Sequence, residues 1–494
     1  MRYLEGYNMM KILFATSEAV PFIKTGGLAD VAGSLPRYFD KEKYDVRIIM
    51  PKYLCMDPIW KEQLFFKCHF YVNLSWRKQY VGIFEAEYEG ITYYFVDNEF
   101  YFAGDRPYNQ LFQDVEKFSF FSKAVLEALP YIDFCPDIIH CHDWQTGLIP
   151  VFLQTVYGDK SYYAGIKTVY SIHNLKFQGR WDVRTVIDIT GLPEQIFTPE
   201  KLESYGEANL LKGGVVYADA ITTVSKTYAY EITTEQGGEG LDGLLRSRSE
   251  DLYGILNGID YAEYNPKTDP LICFPFDDTE IEAGKAANKA ALQKACGLPE
   301  KKDVFLMGIV SRLTSQKGYD LIAYVMDELL SKENVQLVTL GDGEEQYENM
   351  LRHFHAKYPN RISTTIGYTE EMAHRIYASA DAFLMPSLFE PCGLSQLMSM
   401  RYGTVPIVRE TGGLKDTVEP YNEYEHTGTG FTFRNYNAHE MLATIRYALA
   451  VYQKRRKEWL GIATRGMQTD YSWSQSALEY QKLYKSIRNK TPLH

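Results

Sequence analysis

The sequence predicts an α/β protein of two doubly wound, Rossmann-like domains, and three observations carry that reading. The chain has 494 residues, more than one hydrophobic core normally serves, so two domains are expected. Short apolar runs recur in both halves without alternating polar residues, as strands covered on both faces by helices require. Between the halves, segment 260–278 is strand-poor and carries Asn265 before Pro266, then Pro270 and Pro275. It reads as a junction.

In chain order, the first half offers strands at 11–16, 46–50, 137–142, 168–173, 220–224 and 252–256. The second half offers 304–310, 335–340, 382–385 and 405–408. After the first strand, Leu28, Val31, Ala32 and Leu35 fall at helical spacing, so a helix opens near Gly27. One echo links the halves: Thr25-Gly26-Gly27-Leu28-x-Asp30 resembles Thr411-Gly412-Gly413-Leu414-x-Asp416. The division expected is a first domain over 1–262, a second over 263–471 and a terminal segment over 472–494. In open parallel sheets ligands bind outside the carboxyl ends of the strands, so residues following strands are the ones to inspect. Two such sheets are expected to face a central cleft.

Composition narrows the function. A net charge of −12 argues against nucleic acid as partner, because such binders neutralise phosphates with Lys and Arg. A neutral polymer is indifferent to that charge, and a local basic pocket can still take an anionic substrate. Seven scattered cysteines without a Cys-x-x-Cys pair fit reduced thiols and a cytoplasmic location. No run of 18 apolar residues offers a membrane span and no signal core opens the chain. The polar stretch before Lys11 reads as disordered, or as a matter of start-codon choice at Met9 or Met10.

Four strand-end motifs carry chemistry. In Lys24-Thr25-Gly26-Gly27-Leu28-Ala29-Asp30, two glycines let backbone N–H groups approach an anion at a helix N-terminus, and Lys24 supplies a point charge. A plain strand-to-helix turn fits the same residues. In Ser311-Arg312-Leu313-Thr314-Ser315-Gln316-Lys317-Gly318, a guanidinium fork and an ammonium can converge on one diphosphate. Two solvated surface charges are the alternative. In Phe389-Glu390-Pro391-Cys392-Gly393-Leu394-Ser395-Gln396, the helix start can take phosphate, and Glu390 can bond sugar hydroxyls or offset positive charge on a sugar ring. Glu390 also fits as a helix-entry carboxylate. The last pair is His140-Cys141-His142-Asp143-Trp144 and Ser171-Ile172-His173-Asn174-Leu175. Its histidines could ligate a metal with Asp143 or Cys141, but no His-Glu-x-x-His or Cys-rich spacing accompanies them. The chain also lacks any Asp-x-Asp, the pair with which metal-dependent sugar transferases hold a cation against the diphosphate. No metal and no cofactor are therefore expected; Lys24, Arg312 and Lys317 neutralise the leaving group instead.

Together these motifs resemble those of the bacterial glycogen synthase and plant starch synthase family, in the same order and with Leu256-Asn257-Gly258-Ile259-Asp260 at the junction. The resemblance spans about residues 11–485. It implies the two-domain glycosyltransferase fold termed GT-B and retaining transfer of glucose from ADP-glucose to the non-reducing end of an α-1,4-glucan. It implies that Lys24, Gly26 and Gly27 meet the nucleotide sugar and that Arg312 and Lys317 hold its diphosphate. His173 would lie beside the transferred sugar and Glu390 would hold it, with Asp143 and Asn174 lining the same site. Tyr368 would stand near the base, and Gly393, Leu394 and Ser395 would complete donor binding. The terminal stretch would be a helix returning to the first domain. Many retaining relatives carry a second glutamate eight positions after the first; here that position is Met398, so a two-carboxylate mechanism is unsupported.

Rival readings differ in class. A glucan phosphorylase would need lysine-bound pyridoxal phosphate and a much longer chain. A non-catalytic glucan-binding scaffold would exploit some of the 39 tyrosines. UDP-glucose in place of ADP-glucose contradicts no residue.

Overall fold

The unbroken apolar runs form the centres of two separate sheets in a computed structural model that describes residues 9–489. The chain divides into two units. Residues 9–224, 229–256 and 473–489 form the first; residues 225–228 and 257–472 form the second. Residues 1–8 of the polar leader and 490–494 of the terminal segment lie outside the described residues.

The first unit opens with β1 (Met10–Ala15), β2 (Tyr44–Pro51), β3 (Phe65–Leu74), β4 (Arg77–Tyr88), β5 (Ile91–Asp97), β6 (Ile138–His142) and β7 (Lys167–Ile172). Three short strands follow: β8 (Arg180–Asp182), β9 (Glu203–Ser204) and β10 (Glu207–Asn209), which make a small antiparallel sheet of their own. Strands β11 (Ala220–Thr223) and β12 (Leu252–Gly254) complete the main sheet. Its order is β12-β11-β7-β6-β1-β2-β5-β4-β3. The pairings from β12 through to β5 are parallel. Ile12, Leu13, Phe14 and Ala15 of β1 are all fully buried, which explains why an unbroken apolar run marks this strand.

The sheet is mixed, because β4 runs antiparallel to both β5 and β3. Sequence reading missed this ribbon. In β3, Phe70, Val72 and Leu74 are buried while Tyr71 and Asn73 are exposed, an alternation proper to a half-covered edge and invisible to a search for unbroken runs. The helix Trp473–Arg488 belongs to this unit, with Trp473, Tyr480, Tyr484 and Ile487 buried in the core beside Phe14 and Val169.

The second unit contains β13 (Phe305–Val310), β14 (Val335–Gly341), β15 (Ile362–Ile366), β16 (Ala382–Met385), β17 (Val405–Arg409) and β18 (Phe431–Phe433). All are parallel, in the order β15-β14-β13-β16-β17-β18. Numbered within the unit this is 3-2-1-4-5-6, the doubly wound dinucleotide-fold order. The proline-bearing stretch read as a junction is packed into this unit: Tyr264, Ile272 and Phe276 are buried in its core. Prolines signalled the lack of regular structure; the apolar residues between them decided its burial.

Candidate functional site

In a doubly wound sheet the ligand crevice opens where strand order reverses, outside the carboxyl ends of the two strands that flank the reversal. In the second unit those strands are β13 and β16, and the loops that leave them are 311–318 and 386–394. These loops are joined. The Leu388 N–H donates to Gln316 O at 2.8 Å, and Gln316 Nε2 donates to Phe389 O at 3.2 Å. Gly318 makes the approach possible: its φ is +79°, and a Cβ there would stand 2.1 Å from Pro386 O.

The junction of these loops carries an ion pair. Lys317 Nζ lies 2.6 Å from Glu390 Oε2, to which Ser387 Oγ also donates at 3.0 Å. Glu390 is 5% exposed, so its charge is compensated at close range rather than by water. The loop behind it is held by backbone: the Gly413 N–H donates to Glu390 O and Pro391 O, each at 3.1 Å. Ser225 Oγ, from the short segment counted with this unit, also donates to Pro391 O at 2.6 Å. Arg312 is exposed on the β13 loop, and its guanidinium forms no ion pair among the described residues. Gly393, Leu394 and Ser395 are half-buried before the helix Ser395–Arg401, whose first turn has no side-chain cap. Tyr368, half-exposed on the loop after β15, donates its hydroxyl to Glu370 Oε2 at 2.9 Å. Met398 is buried in the core.

In the first unit the order reverses between β1 and β6. The loop leaving β1 carries Lys24, Gly26 and Gly27; those leaving β6 and β7 carry Asp143, His173 and Asn174. Lys24 Nζ is 2.9 Å from Asp30. Gly26 is extended at φ −159° and caps the helix Gly27–Ser34. A Cβ on it would meet only Glu18 Oε1, at 3.9 Å, so protein packing does not demand a glycine here.

Asp143 has φ +55°, a conformation costly for a residue with a side chain. The strain aims its carboxylate across β6 and β7. Oδ1 accepts the His173 N–H at 2.7 Å, and the Asn174 N–H bonds the same carboxylate. Burial nevertheless outweighs these bonds and pushes the Asp143 carboxyl up to about 7. Burial pulls His173 down to about 4, so its imidazole is neutral at physiological pH. His173 Nε2 stands 3.0 Å from His142 Nδ1. His140, fully buried, bonds Tyr484 Oη at 2.7 Å and Ser171 Oγ at 2.6 Å. Its nitrogens are thereby used in packing. Asn174 Oδ1 accepts the Lys176 N–H at 3.1 Å, closing its own turn.

Sequence reasoning passed over Glu18. It is 3% exposed and its Oε2 accepts the Thr25 N–H at 2.5 Å and the Thr25 hydroxyl at 2.7 Å. Burial raises its pKa. It follows β1 directly, so the strand-end rule could have found it. The Gly-Gly echo is not a conformational repeat. Gly412 has φ +45° and a Cβ there would lie 1.9 Å from Glu390 O, whereas Gly26 is extended in open space.

Residues 11–247 match the family described as starch synthase catalytic domain, and residues 288–460 match that described as glycosyl transferases group 1. The class is therefore a glycosyltransferase of two Rossmann-like units, the GT-B fold. The chain is 62% identical over 479 residues to a glycogen synthase of Lachnospira eligens, covering 97% of this chain and 100% of that protein. It is 60% identical to one of Lachnoclostridium phytofermentans, with the same coverage. The catalytic domain of starch synthase IV from Arabidopsis thaliana, solved with ADP and acarbose, superposes with a TM-score of 0.88 at 30% identity. That match covers 98% of this chain and 100% of the other. Sucrose-phosphate synthase from Thermosynechococcus elongatus, at 15% identity and a TM-score of 0.62 over 97% and 99% of the two chains, shares the fold. This chain belongs to the glycogen synthase family.

Proposed function

We propose that the chain transfers glucose from ADP-glucose to the non-reducing 4-hydroxyl of an α-1,4-glucan with retention at the anomeric carbon, elongating glycogen. The observation that carries the reading is the Lys317–Glu390 pair at the β13/β16 switch point, within a chain of this family. Lys317 has three N–H donors and spends one on Glu390, leaving others for a diphosphate. Arg312, on the same loop, supplies a planar fork. Glu390 then offsets positive charge developing on the sugar ring.

In this mechanism the glucan hydroxyl oxygen bonds the anomeric carbon from the face that the diphosphate leaves. The carbon–oxygen bond to the leaving group breaks, and the hydroxyl proton passes to a leaving phosphate oxygen. The products are ADP and a glucan one residue longer. Lys24, Gly26 and Gly27 are assigned to the donor, Tyr368 to its base, and Gly393, Leu394 and Ser395 to its phosphates. His173, kept neutral, donates or accepts a hydrogen bond at the transferred sugar, while Asp143 and Asn174 set its loop. We assign no metal and no cofactor to the transfer, which rests on these cations and on the absence of an Asp-x-Asp pair. A cytoplasmic location is part of the same proposal. It draws on the scattered cysteines and on the lack, among the described residues, of a helix long and apolar enough to cross a membrane.

The test is competition between ADP-glucose and UDP-glucose with glycogen as acceptor, reading released ADP and UDP. Dominant ADP release supports the donor assignment. Dominant UDP release replaces the donor while keeping the transfer, and glycogen binding with release of neither nucleotide refutes catalysis.

A further inference from the structure

Away from the β13/β16 loops, the second unit holds a cluster with ligand chemistry that the transfer reaction does not use. It comprises Glu263, from the packed stretch before β13, with Glu370 and His374 from the helix Glu370–Ser379 that follows β15. One ligand atom from each lies within 4.8 Å of the others. Glu370 and His374 are one helical turn apart, so their side chains rise from the same face.

The histidine carries the argument. His374 is 1% exposed. Its Nδ1 is 2.7 Å from Asp269 Oδ2. That carboxylate also receives the Tyr402 hydroxyl on the same oxygen and the Leu271 N–H on Oδ1 at 2.8 Å. An acceptor so placed accepts the Nδ1 N–H, so the neutral tautomer that this geometry favours carries its lone pair on Nε2. The Tyr264 ring stacks on the imidazole with centroids 4.9 Å apart, which fixes its plane. Nε2 is buried with no hydrogen-bond partner, and Glu370 Oε2 is 3.9 Å from it, beyond hydrogen-bonding distance. A carboxylate–histidine dyad with an unpartnered outer nitrogen beside a further carboxylate, in a cluster that includes Glu263, is the arrangement that orients an imidazole for a metal ion.

We propose that Glu263, Glu370 and His374 bind one divalent cation of the zinc class. One imidazole and two carboxylates match the preference of such ions, and two negative charges satisfy a dication. Three protein ligands leave a fourth position for water, and Glu263 is exposed, which gives the ion a route from solvent. Ligand atoms around tetrahedral zinc stand about 3.3 Å apart, so ion binding draws together the 3.9 Å His374–Glu370 gap and the exposed Glu263 side chain, which lies within 4.8 Å. Glu370 Oε2 also accepts the Tyr368 hydroxyl; any effect of the ion on donor binding rests on the role proposed for Tyr368, whereas the site itself does not.

The test is titration of the chelator-treated full chain with Zn2+ by isothermal calorimetry, and with Co2+ by visible absorption. One ion per chain is expected. Glu263→Gln and Glu370→Gln change accessible side chains, so circular dichroism should be unchanged. The double variant should lose more affinity than the 10–100-fold typical of an outer partner, and Asp269→Asn should fall within about that range. Binding of neither ion overturns the proposal. So does binding that the double variant leaves intact, which would place the ion elsewhere in the chain.

Discussion

Asp143 and Glu390 are both carboxylates at strand ends, and their environments separate them. Glu390 has a cation at 2.6 Å; Asp143 has only backbone N–H groups and a buried setting. An aspartate held near 7 keeps its proton in the folded chain while the unfolded chain has released it. Its contribution to stability is therefore fully present below the ordinary value of 3.8 and is lost as pH rises through about 7. Relative to the parent, Asp143→Asn should grow more stable as pH rises from 4 to 7, with a slope of at most about 1.4 kcal/mol per pH unit. Urea unfolding at a series of pH values reads this difference, and a pH-independent difference would refute it. His173, lowered to about 4, has the opposite sign: its contribution is present above 6.5 and is lost as pH falls through 4. It should produce no limb near pH 6.5 in kcat/KM. At the ion pair, Lys317→Ala removes the compensation of a buried carboxylate and costs about 3–5 kcal/mol of stability. Lys317→Ala and Arg312→Ala should each lower kcat/KM by at least 100-fold, about 2.7 kcal/mol of transition-state binding. Near-parental turnover in both would remove the diphosphate assignment.

Two elements depend on close approach. The turn that ends 311–318 needs a left-handed residue against Pro386 O. Gly318→Ala adds both backbone strain and overlap with a carbonyl, so a loss above about 2 kcal/mol is expected. Chemical denaturation measures it, and the pairing of Lys317 with Glu390 should weaken with the turn. The helix Trp473–Arg488 is bound to the first unit through its aromatic face. Tyr484 stacks on Phe39 with centroids 5.8 Å apart and bonds His140. Tyr484→Phe keeps the stacking and orphans a buried ring nitrogen, which costs about 1–3 kcal/mol. A fall in Tm of roughly 2–4 °C per kcal/mol would report it. Tm equal to the parent's would show that the bond contributes nothing net.

For the whole molecule, each unit has its own core, so a ligand that binds one unit should protect that unit first. ADP at 100 times its Kd adds about 2.7 kcal/mol to whatever state binds it. Hydrogen exchange should slow most in 311–318 and 386–396 of the second unit and in 24–27 of the first, and protection spread uniformly over both units would contradict the donor assignment. The sequence alone carried the α/β class, the central strands and the loops to inspect, because local apolar runs, turn glycines and strand ends are written over a few residues. It missed β3, whose alternation marks a half-covered edge, and its partner β4, and it did not show that Tyr264, Ile272 and Phe276 of the proline-bearing stretch are buried in the second unit's core. Tertiary structure alone decided which charges meet. Lys317 and Glu390 are 73 residues apart, Asp269 and His374 are 105 apart, and Glu18 holds the Lys24 loop through Thr25. Desolvation and pairing depend on what long-range packing excludes or brings near, and no local pattern encodes that. The Lys317–Glu390 pair and the raised Asp143 carboxyl therefore appear only when the sheets are assembled.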